Sequence, residues 1–494
     1  MSAQSGPAQS GPAQSGPARP GTSRSRPSRS EPAQSRPAHL LEPWFTPFAF
    51  VNGSAVGLVP ILLPVVASRY GVGHVGLVMG AFNLGAFAAP LAGSIADRYH
   101  AYRLLTVICA AASALSLWLF ALANPWQQLL LALINGAGFA AAVTIANLLI
   151  VERQPKSEWN QRLGWLETAL SIGQGVMLIL AAWLSGLHAR PALVGAAIVP
   201  AAAIPLAMLV PRLRPAPAAG PVPAAGPVPA AGPVPAAGTL TATGPPGSPM
   251  AAATPPAADS AAPAPAHWLR SAGHVGEWGP ASPSRVHHLH RRRSLGGLLA
   301  ILRGDFGWLL AAWVPAYAGA AVVFALYPVL FRNAFQIAPH ASALAFAVIV
   351  FASLPLFMVA ARVSQRRGPA RTMAGALGAR VILLTVLALL ATAGHVPAVL
   401  PLAAFAGIMF AWSFLSVASP GLTGQLASGN EGDAQGALNA GSGLAGLAGS
   451  VVGGFAASHW GYPAALGIGA GAVAIGLAIF AATVVRRSAA RSPG

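Results

Sequence analysis

Apolar residues in this chain gather into twelve runs separated by short polar joints. The runs lie near residues 45–67, 73–95, 102–123, 126–150, 163–186 and 190–211, then near 306–331, 339–361, 372–394, 396–420, 434–457 and 462–485. Each is close to the ~20 apolar residues that carry a helix across a bilayer core. A spanning segment must satisfy its backbone internally, so each run predicts a helix. The pattern predicts an all-α membrane protein with twelve transmembrane helices. Gly and Ala recur within the runs, which suits close helix–helix approach in lipid.

Three stretches interrupt this pattern and divide the chain. Residues 1–43 form an Arg/Pro/Ser-rich tail in which Ala-Gln-Ser-Gly-Pro starts at Ala3, Ala8 and Ala13. Such a segment cannot bury a core and is expected to be disordered. It holds no apolar stretch long enough for a cleavable signal sequence. Residues 212–305 form a Pro/Ala-rich linker with Pro-Val-Pro-Ala-Ala-Gly repeats from Pro221, expected to be extended and proline-stiffened. Its end reads His287-His288-Leu289-His290-Arg291-Arg292-Arg293. A metal site is conceivable there, but with no carboxylate or thiol ligand nearby the expected role is a basic membrane flank. The expected domains are a six-helix bundle over 44–211, a second over 306–486, and a short tail over 487–494.

Composition agrees. The chain has 494 residues, of which 55% are hydrophobic and 8% charged. A soluble protein carries about 25% charged residues. The formal net charge of +18 is spread between apolar runs rather than gathered in a basic domain, which argues for topology and against nucleic-acid binding. Cys109 is the sole cysteine, so neither an intramolecular disulfide nor a cysteine metal site is available.

Basic residues also orient the chain. With the N-terminus inside, fifteen fall on the inner side: Arg98, Arg103, Arg153, Lys156, Arg162, Arg212, Arg214, Arg303, Arg362, Arg366, Arg367, Arg371, Arg486, Arg487 and Arg491. Three fall outside: Arg69, Arg190 and Arg332. This positive-inside bias predicts cytoplasmic termini and a cytoplasmic linker. Trp126, Trp183 and Trp460 fall near the outer helix ends, where aromatic anchors belong.

The inner loops carry a repeat. Gly93-Ser94-Ile95-Ala96-Asp97-Arg98-Tyr99-His100, followed by Arg103, joins runs two and three. Ala361-Arg362-Val363-Ser364-Gln365-Arg366-Arg367-Gly368, followed by Arg371, joins runs eight and nine. The offset is 365 − 97 = 268 residues. A duplicated six-helix unit predicts two pseudo-symmetric bundles related by an axis along the membrane normal.

Twelve spans in two sets of six, with this loop, resemble the major facilitator superfamily. Gly93, Ala96, Asp97, Arg98 and Arg103 match its Gly-x-Leu-Ala-Asp-Arg-x-Gly-Arg-Arg motif, with His100 where glycine is usual. The second copy keeps Arg366, Gly368 and Arg371, but Gln365 replaces the acid. Span four has Asn135-Gly136-Ala137-Gly138, like the family's Gln-Gly-x-Gly, with Ala132 in place of the usual arginine. Span eleven is glycine-rich through Gly436, Gly441, Gly446, Gly449, Gly453 and Gly454. Span five carries Gly164, Gly173 and Gly175 but lacks the Gly-Pro pair of drug/proton antiporters. The resemblance implies a cavity between the bundles lined by spans 1, 4, 7 and 10, and alternating access by rocking of the halves. It also implies that Asp97, supported by Arg98 and Arg103, latches against the start of span eleven in the outward-facing state. The competing reading is that these loops only set topology.

Glu167 is the one acid well inside a predicted span. A carboxylate there is costly and is a candidate for exchanging a proton. It could instead pair with Arg162 or reach the interface, and both readings stay open. A shift of 272 aligns Gly164 with Gly436 and sets Asn439 opposite Glu167. Trp313, Tyr317, Phe324 and Tyr327 share one face of span seven and could bind a ring-bearing substrate, or simply pack. Trp412, Asn52 and Asn135 are further cavity candidates, although lone asparagines often only bond neighbouring helices. Arg380, in span nine, is expected to snorkel toward water rather than to serve as a substrate ligand, the other role open to it.

No nucleotide-binding loop or hydrolase motif is present. The expectation is therefore a secondary transporter, not an enzyme, exporting a small drug-like or metabolic compound against protons. It needs no cofactor and no metal, and works as a monomer in a plasma membrane. Nutrient uptake is the alternative within transport. A non-transporting sensor or a membrane-embedded enzyme is the alternative outside it.

Overall fold

The computed structural model describes residues 42–153, 159–212, 302–393, 395–427 and 431–485. Most of the N-terminal tail, nearly all of the linker with its His287–Arg293 stretch, and the C-terminal tail lie outside the described residues. Every described element is a helix. The first, α1, spans Pro43–Tyr70. The second, α2, runs as Val72–Leu84, a tighter turn at Gly85–Ala88, and Ala89–Tyr99. Then come α3 (Tyr102–Phe120), α4 (Pro125–Arg153), α5 (Trp159–Leu184) and α6 (Ala189–Leu206). The second half holds α7 (Asp305–Phe335), α8 (Pro339–Arg367), α9 (Pro369–Thr392) and α10 (Val399–Leu426). A last stretch, Glu431–Phe480, changes course at Gly461, whose φ of 82° and ψ of 171° are not helical. A glycine tolerates that φ without a Cβ clash. We call the part before Gly461 α11 and the part after it α12, which makes twelve spans.

The helices overrun the apolar runs on one side. Helix α8 continues through Gln365, Arg366 and Arg367 to Gly368, where φ is 82°. Those polar residues are exposed, and nothing before the glycine breaks the helix. Apolar run length thus measured the hydrocarbon crossing, not the helix.

The same pairings occur in both halves. Helix α3 packs on α4 and α6, as α9 packs on α10 and α12. Helix α2 packs on α4 as α8 does on α10, and α1 packs on α5 and α6 as α7 does on α11 and α12. Glycines set several of these approaches. A Cβ on Gly449 would lie 2.1 Å from the Ala318 carbonyl oxygen, so α7 and α11 meet backbone to backbone. The halves meet through α2 against α11 and α5 against α8. A Cβ on Gly76 of α2 would lie 2.4 Å from the Ser450 carbonyl oxygen of α11.

Further contacts between the halves gather at the joint between α1 and α2. There Val59–Ala67 of α1 packs on α7, and Val72–Leu84 of α2 packs on α11. At the other end of α2, Ala89–Tyr99 packs mainly on α4 of its own half.

Helix α1 is irregular because of its prolines. Its α-helical parts Thr46–Gly53 and Val59–Ala67 are joined by a π-helical turn, Ser54–Leu58. Pro60 has no N–H for the Val56 carbonyl, and Gln174 of α5 donates its Nε2 to that oxygen at 3.3 Å. A side chain from the neighbouring helix thus meets the acceptor that the proline exposes.

Candidate functional site

One cleft brings together three of the candidate residues, Trp313, Trp412 and Asn439. It is lined by Trp313 of α7, by Trp412, Ser416, Ser419 and Pro420 of α10, and by Gln435, Leu438, Asn439 and Ser442 of α11. Trp313 is buried and donates its indole Nε1 to Ser442 Oγ at 2.7 Å, which fixes the ring. Ser442 Oγ in turn donates to the Leu438 carbonyl at 2.9 Å. Gln435 donates Nε2 to Asn439 Oδ1 at 3.4 Å.

Tyr317 completes an aromatic triangle. Its ring centroid lies 5.8 Å from that of Trp313 and 5.9 Å from that of Trp412, and the two indoles lie 6.4 Å apart. Such tilted arrangements favour edge-to-face contact and leave π-faces for a ligand. The walls therefore combine flat aromatic surface with a few hydroxyl and amide groups, as small-molecule sites do.

The other expected cavity residues turn elsewhere. Tyr327 is fully buried among Phe331, Phe346 and Phe405, and donates its hydroxyl to the Ser342 carbonyl at 2.8 Å. Asn52 donates to the Leu170 carbonyl of α5 at 3.1 Å. Asn135 bonds Ser113 O at 3.3 Å and Ser116 Oγ at 2.9 Å, both on α3. All three fasten helices together, the alternative that their types allowed.

Glu167 is half-buried in α5. Among the described residues it makes no hydrogen bond or ion pair. Arg162, the cation expected to reach it, instead donates Nη1 to Glu42 Oε1 at 2.8 Å. Arg153 approaches the same carboxylate at 3.6 Å, so Glu42 ties the start of α1 to the end of α4 and the start of α5.

In the loop motif, Gly93 packs on α4 near Thr144. Arg98 is exposed, with its guanidinium 5.5 Å from the Tyr99 ring centroid. Arg103 donates to the carbonyls of Met208, at 2.6 Å, and Val210, at 2.8 Å, at the end of α6. It satisfies carbonyls that a helix end leaves open. The side chain of Asp97 lies outside the description. Arg366 and Arg371 are exposed, and Gly368 takes the positive φ that separates α8 from α9.

Two findings escaped the sequence reading. Arg380 does not snorkel: it is 1% exposed, with its guanidinium 5.1 Å from the Trp412 ring centroid. The serines and Gln435 of the cleft were also missed. Their signal was spacing, since Ser413, Ser416 and Ser419 recur at i, i+3 and i+6, and Gln435, Asn439 and Ser442 at i, i+4 and i+7.

Comparison with known proteins agrees with this architecture. The sequence profile described as Major Facilitator Superfamily matches residues 45–320 and 309–494. A search of curated proteins returned no match. Among solved structures, the nucleoside transporter NupG is similar with a TM-score of 0.62 at 13% identity, over 90% of this chain and 99% of that one. A D-xylose-proton symporter gives a TM-score of 0.58 at 14% identity, over 89% and 96%. The human organic anion transporter MFSD10 (TETRAN) gives 0.54 at 15% identity, over 90% and 100%. At such identities the likeness shows the fold alone. With matched helix pairings in its two halves and a profile match running from residue 45 to residue 494, the chain belongs to the Major Facilitator Superfamily and is a secondary transporter, not an enzyme.

Proposed function

We propose that this transporter exports a small drug-like or metabolic compound in exchange for protons, by alternating access. The observation that carries the reading is Glu167. A carboxylate in a membrane-spanning helix, half-buried and with no cation beside it among the described residues, is expensive to hold and suited to taking up and releasing a proton. The D-xylose-proton symporter is an example of proton coupling on the same fold.

The substrate site in this reading is the cleft of Trp313, Trp412 and Asn439, with Tyr317 beside it. The bundles correspond to residues 44–211 and 306–486, joined by a cytoplasmic linker. The excess of inner arginines supports a plasma-membrane protein with both termini cytoplasmic. On that orientation the halves meet at the outer end, and the described state opens toward the cytoplasm. In the opposite state Asp97 approaches the N-terminal end of α11, whose dipole favours an anion. Gln365 supplies no such charge in the second half. An Asp97→Asn variant is then expected to slow turnover while leaving substrate binding intact, and wild-type turnover would remove the latch from the scheme.

Proton-coupled uptake is the second reading. It is favoured by buried Ala132, where the family's arginine is absent, and by the lack of a Gly-Pro pair in α5. A substrate-panel flux assay in proteoliposomes with an imposed proton gradient separates the two. Export against protons predicts accumulation on the acidic side and uptake predicts the reverse, whereas flux indifferent to the gradient contradicts both.

A further inference from the structure

Arg380 is a full positive charge inside a membrane-spanning bundle, with no ion-pair partner among the described residues. Arginine stays protonated in proteins. Its side chain is 1% exposed, and its Nε and Nη2 atoms are buried without a hydrogen-bond partner. No carboxylate pairs with it among the described residues. Among the described residues it sits over the face of Trp412, 5.1 Å from the ring centroid, with the Tyr317 hydroxyl as a polar neighbour. A cation–π contact offsets only part of the cost of holding a charged side chain within a membrane span. Isolated buried charges are normally paired or lost.

The surroundings say what kind of partner is missing. Trp412 also lines the cleft, and its ring is one corner of the triangle with Trp313 and Tyr317. The cation therefore adjoins the aromatic wall of a cleft that Ser416 and Ser419 also line. The repeat shows that the charge is not architectural. At the offset of 268 that pairs Gln365 with Asp97 and Arg371 with Arg103, Arg380 pairs with Ala112 of α3 (380 − 268 = 112). Helix α3 makes the same helix contacts in its own half with alanine at that position.

We propose that the transported compound is an organic anion with an aromatic body. Its carboxylate takes the open donors of Arg380 as the fork of a guanidinium allows, and its ring lies among Trp313, Tyr317 and Trp412. The anion removes the uncompensated charge, so binding is favoured by the site's own desolvation cost. This extends the assignment of the cleft as the substrate site, but does not depend on the direction of transport or on protons.

The test is equilibrium binding to the full chain in lipid nanodiscs, read by tryptophan fluorescence. The probes are benzoate, phenylacetate, cinnamate and salicylate, each beside its uncharged amide. We expect at least one carboxylate to bind about tenfold or more tighter than its amide, as one charge-assisted bond implies. Arg380→Gln is expected to erase that preference, and Arg380→Lys to keep part of it. If Arg380→Gln fails to fold, the wild-type preference alone decides. Equal affinity for acid and amide, no binding of any acid, an unchanged preference in folded Arg380→Gln, or the same response to chloride alone would each overturn the proposal. Because no gradient or flux enters the measurement, its failure leaves proton coupling standing, and the failure of coupling leaves it standing.

Discussion

Glu167 and Arg380 show how one residue type takes its meaning from its neighbours. Each is a charge in a span, and sequence offered each a bland role: pairing with Arg162, or snorkelling. Both roles depended on geometry that spacing does not contain. Arg162 is held by Glu42, which stands outside the spans and far away in sequence. Arg380 is packed under Trp412, which arrives from the next helix. Arg103 teaches the reverse lesson. It matches a loop motif, and its partners are the carbonyls closing α6. Replacing Arg103 with Ala opens those carbonyls and removes charge-assisted bonds, at a cost of about 1–3 kcal/mol. A lower melting temperature with unchanged substrate affinity is the expected result, and unaltered stability would show that water replaces the guanidinium without loss.

At the scale of elements, small residues decide which faces can approach. The glycines of α11 were legible as a packing run, but not which of them lie inside a half and which lie between halves. Gly449 meets Ala318 within the C-terminal half, and Gly76 meets Ser450 across the two halves. A side chain at either position overpacks the contact, which typically costs about 1–3 kcal/mol. The consequences differ because only the contact between halves must open during transport. Gly449→Val is expected to lower thermal stability in every condition. Gly76→Val is expected to melt near the wild-type temperature while losing transport, because the clash is relieved by separating α2 from α11. Equal destabilisation by both would contradict a mobile interface between α2 and α11. The kinked course of α1 was not legible in detail. Prolines announced an irregularity, but the donor that answers it, Gln174, belongs to another helix.

For the whole molecule, the twelve runs and the repeated loop carried the fold, because bilayer thickness and duplication both leave a linear record. The cleft left a fainter one. Trp313, Tyr317, Trp412 and Asn439 were visible as types at suitable spacing, whereas Tyr327, Asn52 and Asn135 have the same look and serve packing. The proposed orientation rests on the arginine asymmetry, and Cys109 makes it easy to check, since the sole cysteine is buried. Cysteines introduced one at a time at Arg190 and Arg371, both exposed, should react with an impermeant maleimide from outside and from inside respectively. The opposite pattern would invert the molecule.

The central claim is that Glu167 couples substrate movement to protons. The most direct measurement compares wild type and Glu167→Gln in proteoliposomes, for one identified substrate, by gradient-driven accumulation and by substrate exchange at equal pH. The account predicts that the variant loses accumulation while exchange persists, because the site and the rocking motion remain but the proton carrier is gone. Accumulation that survives the substitution would contradict it.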